Sequence, residues 1–311
     1  MQHLVKKKLG VNRHNSFLFR NTGSKVFMGK ANKVKREFLD VRDLVELVQV
    51  LKDIADMKFH DLFAKRGGFQ RFGESFAEFF RLLETVDVLH PLVSNSNPNV
   101  CIVLVTTEEG FIGDLNNKVV VRALEERDRY PNAKFVTVGR KGVMKLEMLG
   151  IKNEKTFEEI AEKGMYRVAV ELKDFLVEQV MNDTFGKVMV VYPWPKDLQT
   201  VRAKVVKLLP ADFIFQKQTQ TVEQFNKVIQ ESDPLDIIGY LAGLWTSSKI
   251  YEVMLDTSIA AVAAQSQQLD TSLMNVKKDA ANVKLKWRKA RKGDIDKSLR
   301  ETFSSRLMTK R

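Results

Sequence analysis

The sequence predicts an α/β protein with long helices: its N- and C-terminal helices form an antiparallel coiled coil, and an α/β domain is inserted between them. Three observations support this prediction. Neither proline nor glycine occurs from 30 to 66 or between Gly243 and Gly293, and strand-like and helix-like segments alternate from 100 to 216. Apolar residues at heptad spacing in both long segments indicate that each packs against another helix.

The composition is that of a water-soluble globular protein. Of the 311 residues, 44% are hydrophobic and 29% are charged. No apolar run approaches the roughly 20 residues that a membrane helix needs, so we expect membrane contact only through partners. The single cysteine, Cys101, lies in the apolar run VCIVLV, which rules out a disulfide framework in this sequence and predicts a buried thiol.

The charge is basic and concentrated at the two ends of the chain. There are 51 Lys and Arg against 39 Asp and Glu, a net charge of +12, which favours acidic partners. Residues 1–36 contain no acid, and the segment 277–292 contains one acid, Asp279, among its lysines and arginines. Residues 1–29 are assigned to a basic N-terminal extension. It is compatible with a transit peptide, a disordered basic arm, or an upstream start codon ahead of Met28.

Residues 30–90 are predicted to form the N-terminal long helices of the coiled coil. After Gly67 and Gly68 a second helical pattern rich in phenylalanine follows, and it ends at His90, before a proline. The heptad seam of the first pattern consists of Val41, Leu44, Val48, Leu51, Ala55 and Leu62.

Residues 98–217 are predicted to form the inserted domain, with a mainly parallel, Rossmann-like sheet covered by helices. Strands are expected at VCIVLVT, KFVTVG and KVMVVYP, and edge structure at VRAKVVKLLPADFIFQ. Helices are expected near Leu115 to Arg129, near Lys141 to Leu149, and near Phe157 to Asn182.

Residues 218–311 are predicted to form the C-terminal long helix. Its apolar residues alternate in steps of four and three, a period that requires a partner helix along the seam. The N-terminal helix, running antiparallel, is the expected partner. The seam consists of Leu269, Leu273, Val276, Ala280, Val283, Trp287 and Ala290.

The turn TTEEGFIGDLNN follows the first strand and is a candidate phosphate cradle. A P-loop needs glycines, a lysine and a Ser or Thr at fixed spacing, whereas here acids flank Gly110 and Gly113. The spaced glycines of a dinucleotide site are also missing. We therefore interpret the two glycines as residues that adopt tight-turn conformations, and Asp114 as the cap of the next helix.

Catalytic and metal-binding patterns are not found in the sequence. The four histidines are scattered without ligand spacing, and the cysteine has no second thiol. Adjacent acids such as Glu125 and Glu126 diverge on a helix instead of converging on a substrate. We expect no catalytic, cofactor-binding or metal-binding residues, and a protein that is not itself an enzyme.

Several segments, in matching order, resemble the gamma subunit of F-type ATP synthases from about Lys33 onward. QVLKDIADMKF resembles the family's KAMKMVAAAKL, TEEGFIGDLN resembles SDRGLCGGLN, FVTVGRKG ends in the family's VGRKG, and RKARKGDIDKSL resembles NKARQA.ITQEL. The matching positions include Lys52, Ala55, Lys58, Phe59, Gly110, Gly113, Leu115, Asn116, Lys289, Ala290, Arg291, Ile295 and Leu299.

The departures from the family lie at positions that the resemblance places near the catalytic hexamer. Glu109 replaces an arginine, Ile112 and Asp114 replace a cysteine and a glycine, and Lys292 and Asp296 replace a glutamine and a threonine. The complex is therefore either a standard F-type enzyme or a diverged, paralogous F-type-like ATPase.

The resemblance implies a central-stalk rotor without cofactors. Its implied partners are the alpha and beta subunits of the catalytic hexamer, an epsilon-type stalk subunit and the membrane ring of c subunits. The implied location is peripheral to an energy-coupling membrane, at the bacterial cytoplasmic face, or on the mitochondrial matrix side if the extension is a transit peptide. The implied hexamer contacts are Leu51, Lys52, Lys58, Lys289, Arg291, Lys292 and Asp296, and the implied structural turn contains Gly110, Gly113 and Asn116.

A basic coiled coil that binds nucleic acid is the rival hypothesis, and it predicts binding that weakens steeply with salt. Against it, the basic segment has one interleaved aromatic residue, Trp287, and that residue lies on the seam. We therefore expect no nucleic-acid partner.

Overall fold

The computed structural model describes residues 30–81, 90–158, 164–211 and 234–308. Contacts divide the chain into two compact units. Of the described residues, the smaller unit comprises 30–40 with 282–308, and the larger unit comprises those from 41 to 281. The predicted domain boundary at 217 and 218 lies outside the described residues and stays a prediction.

The described residues form five helices and five strands. In chain order they are α1 (Lys30–Arg81), β1 (Val100–Val105), α2 (Leu115–Arg129), β2 (Lys134–Val138), α3 (Arg140–Met148), β3 (Asn153–Phe157), α4 (Met165–Met181), β4 (Lys187–Pro195), β5 (Val201–Leu209) and α5 (Pro234–Met308). None of the described helices combines the length and the apolar character required to span a bilayer.

The first helix differs from the prediction of two helices separated at a glycine pair. Helix α1 continues through Gly67 and Gly68 to Arg81. Glycine costs about 1 kcal/mol per position in a helix, a cost that the packing of the preceding turns, including buried Arg66, can offset. The predicted phenylalanine face and the predicted end before His90 fall on side chains or residues outside the described part of the chain.

The sheet has the predicted mainly parallel character. Its strand order is β3-β2-β1-β4-β5; the first four strands are parallel and β5 runs antiparallel to β4 at the edge. All six residues of β1 are buried because both faces of the sheet are covered. Cys101 is fully buried, as predicted, and burial raises the pKa of its thiol far above the ordinary value.

One strand was not predicted. The segment NEKTF forms β3, and α4 begins at Met165 instead of near Phe157, with residues 159–163 outside the described part. This strand is polar because it lies at the sheet edge and buries mainly Phe157. Strands were predicted from apolar runs in the sequence, and this strand was missed because a strand at the sheet edge does not need an apolar run.

Helices α1 and α5 pack antiparallel in the larger unit. Ser266 donates a hydrogen bond to Asp56, and Lys52 lies 3.9 Å from Asp270, so residue numbers on one helix rise as those on the other fall. The predicted seam is wrong at Leu44 and Leu51, which are each 44% exposed. The prediction is confirmed at Val48 and Ala55, which are buried, while Val45 and Lys52 are less exposed than their neighbours Leu44 and Leu51.

The C-terminal seam is confirmed in each unit. Leu273 is buried and Leu269, Val276 and Ala280 are half-buried in the larger unit. In the smaller unit, Val283 is buried, and the ring of Trp287 stacks on Phe38 of α1 with centroids 5.8 Å apart. The backbone N–H of Ala31 also donates to Asp294 Oδ2 at 3.1 Å, so the same two helices run antiparallel there as well.

A buried ion pair connects three elements of the larger unit. Arg66 Nε of α1 lies 2.9 Å from Asp256 Oδ1 of α5, and Arg66 Nη1 donates to the carbonyl of Pro195 at the end of β4 at 2.9 Å. The guanidinium also lies over the rings of Phe63 and Trp194. Because Asp256 is 1% exposed and its oxygens lack aligned hydrogen bonds, its charge is poorly solvated.

Burial raises the pKa of Asp256 to about 6, although the positive charge of Arg66 opposes the rise and Glu252 adds to it. The folded chain therefore holds this proton more tightly than the unfolded chain does. The stabilising contribution of the protonated Asp256 carboxyl is complete below about pH 4 and is lost as the pH rises through about 6.

Asp256→Asn should remove the pH dependence of stability that this carboxyl causes. We expect the unfolding free energy of the wild type, relative to the variant, to fall by roughly 2 kcal/mol from pH 4 to pH 7, because most of the effect of a pKa difference of about two pH units is expressed in that window. Urea denaturation of the full chain at several pH values measures it, with exposed Asp128→Asn as the matched control. A difference that is flat or rises with pH would contradict the assignment.

Candidate functional site

The turn between β1 and α2 is closed by a buried asparagine. Asn116, in the first turn of α2, accepts the backbone N–H of Thr107 at 3.0 Å and donates its amide to the carbonyl of Thr107 at 3.1 Å. The oxygen and the nitrogen of this buried amide therefore each have a backbone partner, in the donor-and-acceptor pattern that paired strands use. Asn116 therefore fixes where the chain leaves the sheet.

The conformations in the turn are only partly those expected. Gly113 has a φ of 58°, in the left-handed region where glycine is favoured. Gly110 is outside that region and a Cβ there would meet nothing within 4 Å, so the expectation that Gly110 is needed for its conformation is wrong. Phe111 instead takes a φ of 55°.

Asp114 occupies the N-cap position of α2, but its side chain makes no capping hydrogen bond, so that part of the prediction is also wrong. The carboxylate lies 3.1 Å from Lys118 Nζ, one helical turn away. Both side chains are mostly exposed, so the ion pair contributes little to stability.

Two helices hold the turn in place. Gln265 of α5 donates its amide to the carbonyl of Gly110 at 2.9 Å, and Lys141 of α3 donates to the carbonyl of Glu109. Below the turn, Ile112 and Leu115 are buried against alanines of α5. The turn is thus attached to the long C-terminal helix through both polar and apolar contacts.

The carboxyl edge of the sheet, where α/β proteins bind nucleotides, is occupied by the chain itself. The backbone N–H of Gly142, at the start of α3, donates to Thr106 Oγ1 at 3.0 Å, and Arg140 pairs with Glu158 at 3.1 Å. Glu108 and Glu109 are exposed at the same edge and would repel a phosphate. Among the described residues, no group of His, Cys, Asp or Glu could hold a metal ion.

A cavity of about 340 Å³ lies beneath the turn in the larger unit. Its apolar lining comes from α1, α4 and α5, and includes Leu62, Met165 and Leu255. Lysines of α1, including Lys58, and the two acids of the turn line the cavity as well. This mixture suits contact with a protein side chain. Thr257 and Ser258, which also line the cavity, donate their hydroxyls to carbonyls of their own helix.

The predicted hexamer contacts of the larger unit have different environments. Leu51 projects outward and Lys58 is exposed beside the cavity. Lys52 is half-buried, and its ammonium lies 2.8 Å from Asp56, whose hydrogen bond raises the pKa of Lys52. Burial would raise the pKa of Asp56, but hydrogen bonds from Lys52 and Ser266 outweigh burial and hold it below the ordinary value.

An exposed apolar stripe along α1 was not predicted. Its members are large apolar side chains that lie outside the buried seam, at spacings of three and four residues. They are Leu44, Leu47, Val50, Leu51, Ile54 and Met57. The sequence did contain a signal for this stripe, because α1 has more apolar residues than one buried seam can hold. An exposed apolar stripe of this kind indicates a second contact, with another molecule.

The predicted contacts of the smaller unit are all exposed on α5: Lys289, Arg291, Lys292 and Asp296. Further along the same helix, exposed apolar side chains recur at four-residue steps: Ile295, Leu299, Phe303 and Leu307. Basic and apolar groups are therefore both available to a partner in this unit, and the contact roles of these residues stay predictions.

The fold and these surfaces define a class of protein. An α/β domain is inserted between two long paired helices, and exposed apolar and basic side chains suit binding to other proteins. The pattern of the ATP synthase family matches residues 30–305. The chain belongs to the family of ATP synthase gamma chains.

Individual relatives and solved structures agree with this membership. The gamma chain of Lachnoclostridium phytofermentans is 20% identical over 285 residues, covering 89% of this chain and 98% of that relative. The gamma chain of Aliarcobacter butzleri is 25% identical over 217 residues, covering 68% of this chain and 73% of that relative.

Two solved structures share the fold. A chain from the central stalk and c-ring of the Tetrahymena thermophila mitochondrial ATP synthase superposes with a TM-score of 0.56 at 16% identity, covering 73% of this chain and 99% of that chain. A chain from the OSCP, F1 and c-ring structure of the Euglena gracilis enzyme gives a TM-score of 0.57 at 12% identity, covering 90% and 94%.

Gly113→Ala should destabilise the chain by about 1–2 kcal/mol, because a left-handed φ is costly for any residue with a Cβ. Gly110→Ala is the matched control and should be neutral or slightly stabilising, since its Cβ meets open space and the unfolded chain loses freedom. Thermal unfolding of both variants measures this difference. Equal destabilisation by the two changes would show that the turn has a different conformation.

Proposed function

We propose that this chain is the central-stalk rotor subunit of an F-type ATP synthase or ATPase. It is a non-catalytic subunit that couples ion-driven rotation to conformational change in the catalytic hexamer, and so to ATP synthesis or hydrolysis. The observation that carries the proposal is the family match from 30 to 305, which includes both long helices and the inserted domain.

The mechanism follows from the unequal faces of the helix pair. In the larger unit, α1 presents the exposed apolar stripe, while α5 presents exposed Lys277 and Lys278. Each catalytic subunit around the pair would meet a different surface. A binding partner shifts a conformational equilibrium only through differential contact, so each subunit is held in a different state and rotation exchanges those states.

The contact residues in this proposal are those in both units that can reach a partner. Leu51, with its apolar neighbours, and Lys58 are exposed on α1. Lys52, beside the seam between α1 and α5, forms ion pairs with Asp56 and Asp270. On α5 the contacts are Lys289, Arg291, Lys292 and Asp296. The basic members suit acidic loops on the hexamer, because opposite charges speed association and set its register.

The proposed partners are the alpha and beta subunits of the hexamer, an epsilon-type stalk subunit and the ring of c subunits. The similar structures come from a central stalk with a c-ring and from an assembly of OSCP, F1 and c-ring, which supports the hexamer and the ring as partners. The proposed location is peripheral to an energy-coupling membrane, with attachment through these partners.

A second candidate function within the same class is the shaft of a specialised F-type-like ATPase, and Glu109 is the residue that supports it. The resemblance has arginine at this position, and the exposed carboxylate reverses its charge. A nucleic-acid function is not favoured, because Trp287, the aromatic residue among the basic side chains, stacks on Phe38.

Affinity purification from the native organism tests the proposal. The tagged full-length chain should retain the alpha and beta subunits and ATPase activity that depends on the chain. A chain that purifies without them and shifts a nucleic-acid gel, with affinity that falls steeply with salt, would contradict it.

Reversing three basic residues, Lys289→Glu, Arg291→Glu and Lys292→Glu, should weaken hexamer binding by at least about tenfold at low salt, because like charges then face each other. Coupled ATPase activity should fall in parallel. The matched control reverses exposed Lys152, Lys196 and Arg202 of the α/β domain. Unchanged binding and turnover in the first variant would rule out these residues as contacts.

A further inference from the structure

Strand β3 leaves one edge of the sheet open. It pairs with β2 on one side, and no strand among the described residues pairs with its other side. The backbone N–H of Gly139, directly after β2, donates to the carbonyl of Phe157 at 2.8 Å, so the backbone groups of Phe157 face β2. Because successive residues of a strand direct these groups to opposite sides, those of Thr156 point to the open edge. Such an edge is a template for another strand.

The lysine that would protect this edge is directed toward α4 instead. Edge strands commonly carry a lysine whose outward charge prevents pairing with another chain. The ammonium of Lys155 lies 4.4 Å from the ring centroid of Phe175 in α4 and 5.1 Å from that of Phe157. The carboxylate of Glu154 lies 3.6 Å from Lys134 Nζ of β2. Both charged side chains of β3 therefore have partners within the chain, and neither is left to block the edge.

A groove of about 600 Å³ runs along the open edge, between β3 and α4. Four consecutive residues line it on the strand side, from Lys155 to Glu158. Because consecutive side chains of a strand point to opposite faces of the sheet, a groove lined by all four follows the backbone edge itself. An elongated site of this kind suits a segment of chain in extended conformation.

The α4 wall of the groove carries a row of acids. Glu171, Asp174 and Glu178 are exposed in steps of three and four residues, so they lie on one helix face at intervals of about 4.5–6 Å. Alternate residues of an extended strand are about 6.6 Å apart, so basic side chains at every second position could meet successive acids. The lining contains four acids against two bases, although the whole chain has a net charge of +12.

Ion pairs within α4 leave these acids available to a partner. Arg167 lies 2.9 Å from Glu171, and Lys173 pairs with Asp174. The carboxylates of both pairs are about half exposed or more, and exposed pairs contribute little free energy. A lysine or arginine from another chain can therefore compete for these carboxylates at small cost.

We propose that the open edge of β3 is a docking site for an extended segment of a partner protein that carries lysine or arginine at alternate positions. The segment adds a sixth strand to the sheet, and its basic side chains contact the acids of α4. Backbone pairing supplies the affinity, and the row of acids selects a basic segment. This site goes beyond the proposed rotor function and does not depend on it.

Binding of a synthetic peptide to the full chain, followed by fluorescence anisotropy, tests the proposal. The probe is about seven residues long and alternates lysine with threonine, which matches the length of a strand. A peptide that alternates glutamate with threonine should bind at least about tenfold more weakly, because like charges then meet. The lysine peptide methylated on its backbone nitrogens should lose binding to a similar extent, since it cannot donate hydrogen bonds to β3.

Charge-neutral variants of α4 separate the row of acids from general electrostatic attraction. The triple variant Glu171→Gln, Asp174→Asn and Glu178→Gln should bind the lysine peptide about tenfold or more weakly, with its thermal unfolding midpoint nearly unchanged. The matched control neutralises three exposed acids on α2 and α3, with Glu125→Gln, Asp128→Asn and Glu147→Gln, and should bind as the wild type does.

Hydrogen exchange locates the peptide, because an added strand should slow exchange of the Thr156 amide. Four results would each overturn the proposal: no binding of the lysine peptide, equal binding of the acidic peptide, full binding after backbone methylation, or full binding by the α4 triple variant. None of these results bears on the rotor function, which is tested separately by association with the hexamer.

Discussion

The ion pair between Arg66 and Asp256 is the constraint on which the rest of the larger unit depends. It connects α1 to α5, and through the carbonyl of Pro195 it also connects them to the sheet. A pair buried this deeply adds little net stability compared with an apolar contact, but separating it leaves a charge without a partner. The pair therefore penalises any slip of α1 along α5, and the register it specifies sets which residues of both helices face outward.

That register explains how the surface is divided between internal and external contacts. Val48, Ala55 and Phe59 are buried on α1, so the neighbouring apolar residues from Leu44 to Met57 remain exposed. The same register places Ala260 and Ala261 under the turn after β1, where small side chains let Ile112 and Leu115 pack closely. The carboxyl edge of the sheet, closed by Thr106 and Asn116, serves to position this turn. Function in this chain thus depends on how its surfaces are positioned.

Much of the architecture could be predicted because it follows from periodicity. The heptads of α5 and the apolar run of β1 required a partner helix and a covered sheet, and both are present. The seam of α1 could be predicted only in part, since Val48 and Ala55 are buried as the heptads require, but Leu51 faces outward and half-buried Lys52 lies beside the seam. Strand β3 gave no signal because it is polar, and Arg66 with Asp256 gave none because their contact joins distant parts of the chain. The left-handed backbone of Phe111 has no sequence signature, since phenylalanine rarely adopts it.

The central claim is that this chain rotates inside a catalytic hexamer, and direct observation of rotation tests it. A cysteine introduced in place of exposed Tyr166 would carry the probe, because the natural Cys101 is fully buried and protected from labelling. With the hexamer immobilised, we predict stepwise rotation of the probe in one direction when ATP is added, and arrest when ATP is removed. Sustained ATP hydrolysis by the assembled complex with a stationary probe would contradict it.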